Sequence, residues 1–349
     1  MPEFTLAMIV KNEAHQMRKP LDELKGHVEE IIIVDTGSTD DTVKIAKEYT
    51  DKVYQEEWKD DFALARNQAL ERSTQPWVLM LDADEYFPKE HLAELKKRID
   101  SYPDNIFGVL LPIHNPIEKG KNTVVHWRLT ALKNHPRIRY RGEIHETAGD
   151  AIVERGGQMV KSDIPLMHYG YQDPDDVEAK SVKRNYAILL RKVEEEPDNP
   201  SFHFYLGKTY LKVMPDYEKA RFHLERTVAL SNGHESMDLE AKFILGIVLE
   251  KLGELPTSLK LWHEVIRGDP QFPDVYYLMG WIYNREGRYS AAVPFFEKAL
   301  TADPSKAKIN ICQFMFNART VLQQLQNACA NAGEYAKSVE YRMKEENLA

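Results

Sequence analysis

Cysteine is almost absent from this sequence of 349 residues; Cys312 and Cys329 are the two. They stand 17 residues apart in one helix-like region, which fits neither a disulfide framework nor a zinc site, so both are expected to be inert core residues. Long apolar runs are also missing. No stretch approaches the roughly 18 apolar residues of a membrane span, and Met1-Pro2-Glu3-Phe4 lacks the basic region and apolar core of a secretory signal. A cytoplasmic chain with no membrane span is expected. No Gly-x-Gly-x-x-Gly follows a strand-like run, which argues against a dinucleotide cofactor. Gly207-Lys208-Thr209 ends like a phosphate-binding loop, but position 202 is Phe; His145-Glu146 and His263-Glu264 each lack the second His of a zinc protease. What is present, 43% hydrophobic, 29% charged and 10% aromatic residues, suffices for a core and, at this length, for two domains.

Lysine and arginine total 46 against 55 aspartate and glutamate, a net charge of −9. The whole acid excess lies in residues 1–180, while 181–349 is balanced. Within the acidic half the sign reverses over residues 119–141, which hold Lys119, Lys121, Arg128, Lys133, Arg137, Arg139 and Arg141 and no acidic residue. Such a stretch suits an anionic ligand, and equally a solvated strand face or an exposed hairpin.

From Phe4 to about Leu132, apolar runs (Leu6 to Val10, Ile31 to Val34, Trp77 to Leu81, Phe107 to Leu111) alternate with helical patterns around 14–26, 40–50, 62–73 and 89–101. Unbroken β-branched runs separated by helices predict a parallel sheet covered on both faces. Ligands of such sheets bind beyond the C-terminal strand ends. Three runs end there in polar clusters: Lys11-Asn12-Glu13, Asp35 to Asp40, and Asp82-Ala83-Asp84-Glu85.

After Asp173-Pro174-Asp175-Asp176 the strand signals stop. With Gly280 at position 8 of a 34-residue unit, Tyr276, Met279, Tyr283, Ala292, Phe296, Ala299 and Pro304 fall where a tetratricopeptide repeat requires them. Gly246 sets a second unit, with Ser258 in place of the small Ala. Gly207 sets a third, which needs one inserted residue near Met214-Pro215; a longer helix pair is expected from Ala307 onward. The predicted organisation is a catalytic domain over 1–175, a linking helix over 176–199 and repeats over 200–349. Stacked helix pairs leave a concave surface that can hold a partner or an acceptor; the alternative is a scaffold that braces the first domain or makes an oligomer.

Asp82 and Asp84 follow a buried strand, and in extended backbone residues i and i+2 point the same way, so two carboxylates can converge. Hard oxygen ligands suit magnesium or manganese, completed by diphosphate oxygens. Helix capping would need only one acidic residue here. Asp35 sits at the tip of the second strand, where a carboxylate can accept from a nucleobase or a ribose hydroxyl.

Leu6 to Glu13, Val34 to Asp40, Ala65-Arg66-Asn67 and Leu81 to Glu85 resemble, in order and spacing, the signatures of family 2 nucleotide-sugar glycosyltransferases. The resemblance covers about residues 4–170. Within the family it is more similar to members with a Val-Asp-Thr-Gly-Ser turn, an Asp-Ala-Asp-Glu segment and trailing tetratricopeptide repeats, such as the peptide S-glycosyltransferases of glycosylated bacteriocins. It implies a Rossmann-like α/β domain of the GT-A type, a UDP-sugar donor, Mn2+ or Mg2+, and inversion at the anomeric carbon. By the same carry-over Asp35 reads the base, Asp82 lies near ribose and metal, Asp84 ligates the metal, and Lys11, Asn12, Glu13, Arg66 and Asn67 line the donor site. Many members have a second acidic residue where Thr36 stands. Glu146, in Gly142-Glu143-Ile144-His145-Glu146, matches the segment that supplies the base, with Glu143 as runner-up and pairing to Arg139 or Arg141 as the bland alternative. His168 is expected as a metal ligand or diphosphate contact. Arg128 suits a leaving diphosphate, and Lys180, Lys183 and Arg184 either close over it or form a solvated helix face.

The reading that follows is a metal-dependent, inverting glycosyltransferase acting on a peptide or protein held by the repeats. A glycan, lipid-linked sugar or modified nucleobase in DNA is the alternative acceptor, and a non-catalytic repeat module the alternative class.

Overall fold

The computed structural model describes residues 1–117, 122–169, 177–231, 235–309, 311–312 and 318–347, with the side chains of 117, 122–124, 177–184 and 311–312 left aside. The chain divides into two compact units, one built from Met1–Lys121 and Val125–Glu178, the other mainly from Ala179–Ala349.

The first unit is an α/β layer structure. Its strands are β1 (Phe4–Val10), β2 (Glu30–Asp35), β3 (Val53–Gln55), β4 (Trp77–Leu81), β5 (Glu85–Tyr86), β6 (Ile106–Ile117), β7 (Asn122–Lys133), β8 (Gln158–Lys161) and β9 (Leu166–His168). The sheet runs β3-β2-β1-β4-β7-β6-β9-β5, with β8 also on β6. The first four strands in that order are parallel; three of them, β1, β2 and β4, are predicted apolar runs, and β3 adds to them without such a run. The expectation of a wholly parallel sheet fails at β7, which pairs antiparallel with β4, and at β5, which pairs antiparallel with β9, so the sheet is mixed. The strands alternate between two cores. Leu6, Met8, Ile31, Ile33, Leu79 and Leu81 pack with α1 (Arg18–Leu24), α2 (Thr42–Ala46) and α4 (Lys89–Ser101). Ala7, Ile32, Val34, Val78 and Met80 face α3 (Phe62–Arg72) and α5 (Gly149–Glu154). Helices α1 and α2 are shorter than their sequence patterns, because residues 12–14 and 38–42 are bonded to each other.

Apart from a short strand, β10 (Ile311–Cys312), the described part of the second unit is helical: α6 (Val177–Glu195), α7 (Pro200–Lys212), α8 (Tyr217–Leu230), α9 (Glu235–Lys251), α10 (Leu255–Gly268), α11 (Pro273–Arg285), α12 (Tyr289–Thr301), α13 (Ala318–Asn331) and α14 (Tyr335–Glu346). The repeat register is visible in its packing. A Cβ on Gly246 would lie 2.3 Å from the Trp262 indole nitrogen, and one on Gly280 would lie 2.8 Å from the Phe296 ring, so each glycine lets two helices approach. Gly207 faces Leu224 in the same way, which is the register the inserted residue gives. Ser258 is accommodated at the small position by donating to the Gly246 carbonyl at 2.6 Å. The last pair, α13 and α14, is no longer than its predecessors, contrary to expectation. Cys329 is buried and free; the side chain of Cys312 lies outside the described residues. Among the described residues no helix is long and apolar enough to cross a membrane.

Candidate active site

Strands β1 and β2 end side by side, Val10 opposite Asp35, and their loops are bonded into one unit. Asn12 takes φ 59°, a conformation its short polar side chain tolerates, and this turns Asn12 Oδ1 to accept from Thr39 N at 2.8 Å while its own N–H donates to Ser38 Oγ at 2.8 Å. Thr42 Oγ1 accepts from Glu13 N at 2.7 Å, and Asp40 accepts from the Ala14 and Thr42 amides. Asp35 is fully buried, and its carboxylate accepts from the amides of Gly37 and Ser38 at 3.2 Å. The tight turn at Gly37 (φ 99°) folds back over it. The carboxylate thus organises its own turn.

The end of β4 carries the chemistry. Asp82 Oδ1 accepts from Arg66 Nη2 at 2.9 Å, and Oδ2 from Arg128 Nη1 at 3.0 Å. Arg128 Nη2 also reaches buried Glu85 at 2.5 Å, and Glu85 accepts the Asp82 N–H at 2.9 Å. Arg66 Nε donates to Glu146 Oε1 at 2.5 Å, so one guanidinium joins the α3 face, the β4 tip and the 142–146 loop. Burial would push the Asp82 carboxyl up, but the two guanidiniums outweigh it and hold the group well below the usual range. At Glu85 burial wins over Arg128, and its carboxyl is raised. Arg66 and Arg128 are both held more firmly charged, since their carboxylates outweigh the cost of burial.

Asp84 turns the other way. Its Oδ2 meets His168 Nε2 at 2.9 Å, because β5 and β9 set Glu85 opposite His168. Asn115 Nδ2 donates to the Ile113 carbonyl, which leaves Asn115 Oδ1 to accept from His168 Nδ1 at 2.7 Å. That bond fixes the proton on Nδ1 and leaves Nε2 with its lone pair toward Asp84 when the ring is neutral. Burial disfavours the imidazolium, but Asp84 prevails and raises its pKa. A cleft of about 740 Å³ opens beside Asp84, lined among others by His15, Lys19, Glu23, Tyr86 and Tyr169.

Of the sequence-predicted residues, Arg66, Asp82, Arg128 and Glu146 form one network, and Asp84 with His168 forms a pair beside it. Glu13 belongs to the same charge cluster: burial first, then Asp84, Asp82 and Asp40, push its carboxyl up to about 7. Asn67 does something else. Its amide donates to the Tyr140 carbonyl and accepts the Tyr140 N–H, at 2.9 and 2.8 Å, so it clamps a loop in place of a strand partner. Lys11 is exposed. Glu143 gives its carbonyl to Phe62 N at 2.8 Å. The bland pairing of Glu146 with Arg139 or Arg141 does not occur; Arg141 pairs with Glu154, and Arg139 donates to the His135 and Ile138 carbonyls. The basic stretch is thus divided, with Arg128 in the site and the later arginines outside it. Lys119, Lys121 and the side chains of Lys180, Lys183 and Arg184 lie outside the described residues. Glu85, Asn115 and Tyr140 join the site without having been singled out from the sequence. A strand-end position after Asp84 was the signal for Glu85; the other two had none.

Among the described residues no three His, Cys, Asp or Glu groups converge as a closed metal cage. The chemistry of Asp84 and His168 nonetheless fits a divalent ion: a hard carboxylate oxygen and an imidazole nitrogen, with the remaining positions open to phosphate oxygens.

A mixed α/β sheet with its polar groups at the β1, β2 and β4 tips, followed by helical repeats, defines a class, and the chain's similarity to known proteins agrees. Residues 5–157 match the model of glycosyl transferase family 2, and residues 273–306 that of the tetratricopeptide repeat, the same 34-residue frame that Gly280 sets. Over residues 5–157, most of the N-terminal unit, the chain is thus similar to family 2 of the glycosyltransferases. The chain is 27% identical over 316 residues to a TPR repeat-containing protein of Synechococcus elongatus, covering 87% of this chain and 76% of that one. It is 26% identical over 252 residues to the prophage-derived glycosyltransferase SunS of Bacillus subtilis, covering 71% of this chain and 58% of SunS. A solved structure of S. aureus TarS 1–349 in complex with UDP-GlcNAc is similar at a TM-score of 0.46 and 16% identity, covering 76% of this chain and 92% of that one. The chain is a glycosyltransferase.

Proposed function

We propose that this glycosyltransferase is metal-dependent and inverting, and moves a sugar from a UDP-sugar to a peptide or protein presented by the helical repeats. One observation carries the reading: the convergence of Asp84 Oδ2 and His168 Nε2 at 2.9 Å beside the Arg66–Asp82–Arg128 network, with Asp82 and Asp84 just beyond the C-terminal end of the parallel strand β4. Asp84 and His168 would hold the ion, which supplies positive charge to the diphosphate. Asp82 is not free for the same task, since both its oxygens are bound to guanidiniums; it sets the positions of Arg66 and Arg128. Arg128 remains charged and can face the leaving diphosphate. Asp35 shapes the turn nearest the nucleotide, and its carboxylate keeps lone pairs beyond those the two amides use.

In the transfer, a nucleophile of the acceptor bonds to the anomeric carbon as the bond from that carbon to the diphosphate breaks, and the proton of the nucleophile passes to a carboxylate. Glu146 is that base, held in orientation by Arg66, with Glu143 next to be tested. The peptide acceptor rests on the repeats and on the resemblance to peptide S-glycosyltransferases.

The test is donor hydrolysis by the full chain. Asp84→Ala should abolish its dependence on Mn2+ or Mg2+ and reduce turnover at least a hundredfold. Unchanged turnover would remove Asp84 from the site.

A further inference from the structure

Tyr140 lies at the centre of the site and has no role in what precedes. The residue is 6% exposed, its ring lies under the Arg66 guanidinium at 5.7 Å, and both its backbone polar groups are clamped by Asn67. Its hydroxyl makes no hydrogen bond to any described residue, and the residue keeps a small solvent-exposed edge. A buried tyrosine ordinarily finds a partner for its O–H. This one is held rigidly, with its backbone fixed on both sides, and its ring lies against Arg66, which itself holds Glu146 and Asp82.

We propose that the Tyr140 hydroxyl is a specificity-determining contact that reads a hydroxyl group on the sugar of the donor. This rests on the donor reading given above. The chemistry around the phenol selects the ligand. Burial, against the pull of Arg66 and Arg128, pushes the phenol up to about 12, so it stays neutral and keeps a proton to donate. Its charged neighbours are already paired with one another, and an ionic ligand group at this spot would have to break an Arg–carboxylate bond. A sugar hydroxyl needs no such exchange. It accepts from the phenol and donates in turn to a carboxylate oxygen of Glu146 or Asp82, both partly accessible. A site built to hydrogen-bond a hydroxyl discriminates strongly against a ligand that lacks it.

The experiment uses the full chain and Tyr140→Phe, which removes one oxygen and keeps the ring under Arg66. Binding of UDP and of UDP-glucose, UDP-galactose and UDP-N-acetylglucosamine is measured by calorimetry with Mn2+ present, and the deoxy analogues of the best ligand follow. The variant should bind that UDP-sugar about tenfold more weakly, bind UDP as before, and melt no lower than the wild type, because no protein hydrogen bond is lost. One deoxy analogue should bind variant and wild type equally, identifying the hydroxyl that is read. Equal affinity of the two proteins for every UDP-sugar would overturn the inference, as would an equal loss for UDP or a lower melting temperature, either of which makes Tyr140 a structural or nucleotide contact. If the wild type binds none of these nucleotides, the donor reading itself fails.

Discussion

Glu13 shows how a single residue couples the site to pH. Its carboxyl ionises near 7 in the folded chain, against 4.5 for an unperturbed glutamate, because it is buried and faces Asp84, Asp82 and Asp40. An acid that holds its proton more tightly when folded favours the folded state at low pH. Stability therefore falls as pH rises from about 4.5 to about 7 and changes no further above that. The loss is of order 1–2 kcal/mol once partial exposure is allowed for. Glu13→Gln, which still accepts from Gln16, should melt about 2–4 °C above the wild type at pH 8 in chelator, with the difference gone below pH 4.5. A constant difference across that range would show that charge is not its cause. At this scale the sequence was most legible where chemistry sits at strand ends: Asp82, Asp84 and Glu13 each follow an apolar run. Tyr140 and Asn115 were not legible, because their partners Asn67 and His168 lie 73 and 53 residues away and only the tertiary fold joins them. Asp35 was legible as a strand tip, but its bonds to the amides of Gly37 and Ser38 were not, since the direction of a carboxylate depends on whether its own turn offers it amides.

Among the elements, the repeat helices are the best encoded, because a glycine and a large side chain 16 residues on are facing parts of one contact. Gly246 and Trp262 make the tightest such approach, and the Trp262 indole donates to the Phe243 carbonyl at 3.0 Å, so the ring cannot retreat without losing that bond. Gly246→Ala should cost about 1–3 kcal/mol by overpacking, read as a lower urea midpoint for the helical unit, with UDP binding unchanged in the absence of urea. An unaltered midpoint would mean that α9 and α10 can separate freely. Strand direction was harder to read. The parallel strands β1, β2 and β4 show themselves as unbroken apolar runs covered on both faces, whereas β7 mixes Thr130 and Arg128 with Leu129 and Ala131 and pairs antiparallel with β4, which periodicity does not encode. Arg128 enters the site for this reason: β7 lies beside β4, and the alternation of its side chains turns Arg128 to Asp82.

Across the whole molecule, the groups that form the Arg66–Asp82–Arg128–Glu146 network and the Asp84–His168 pair all fall within the first compact unit, and the charge asymmetry follows nearly the same division. The acid excess belongs to the half that carries Asp82, Asp84 and Glu13, while the repeat half is balanced, as suits a surface that holds a polypeptide and not a polyanion. Deleting residues 200–349 should therefore leave metal-dependent hydrolysis of the UDP-sugar within about threefold of the full chain and remove transfer to a peptide acceptor. The two readouts fail differently. Loss of both activities, with UDP binding also lost, would mean that the first unit needs the repeats to fold. Continued transfer would reduce the repeats to a brace and move acceptor recognition into the transferase unit, with the cleft beside Asp84 as the next place to test.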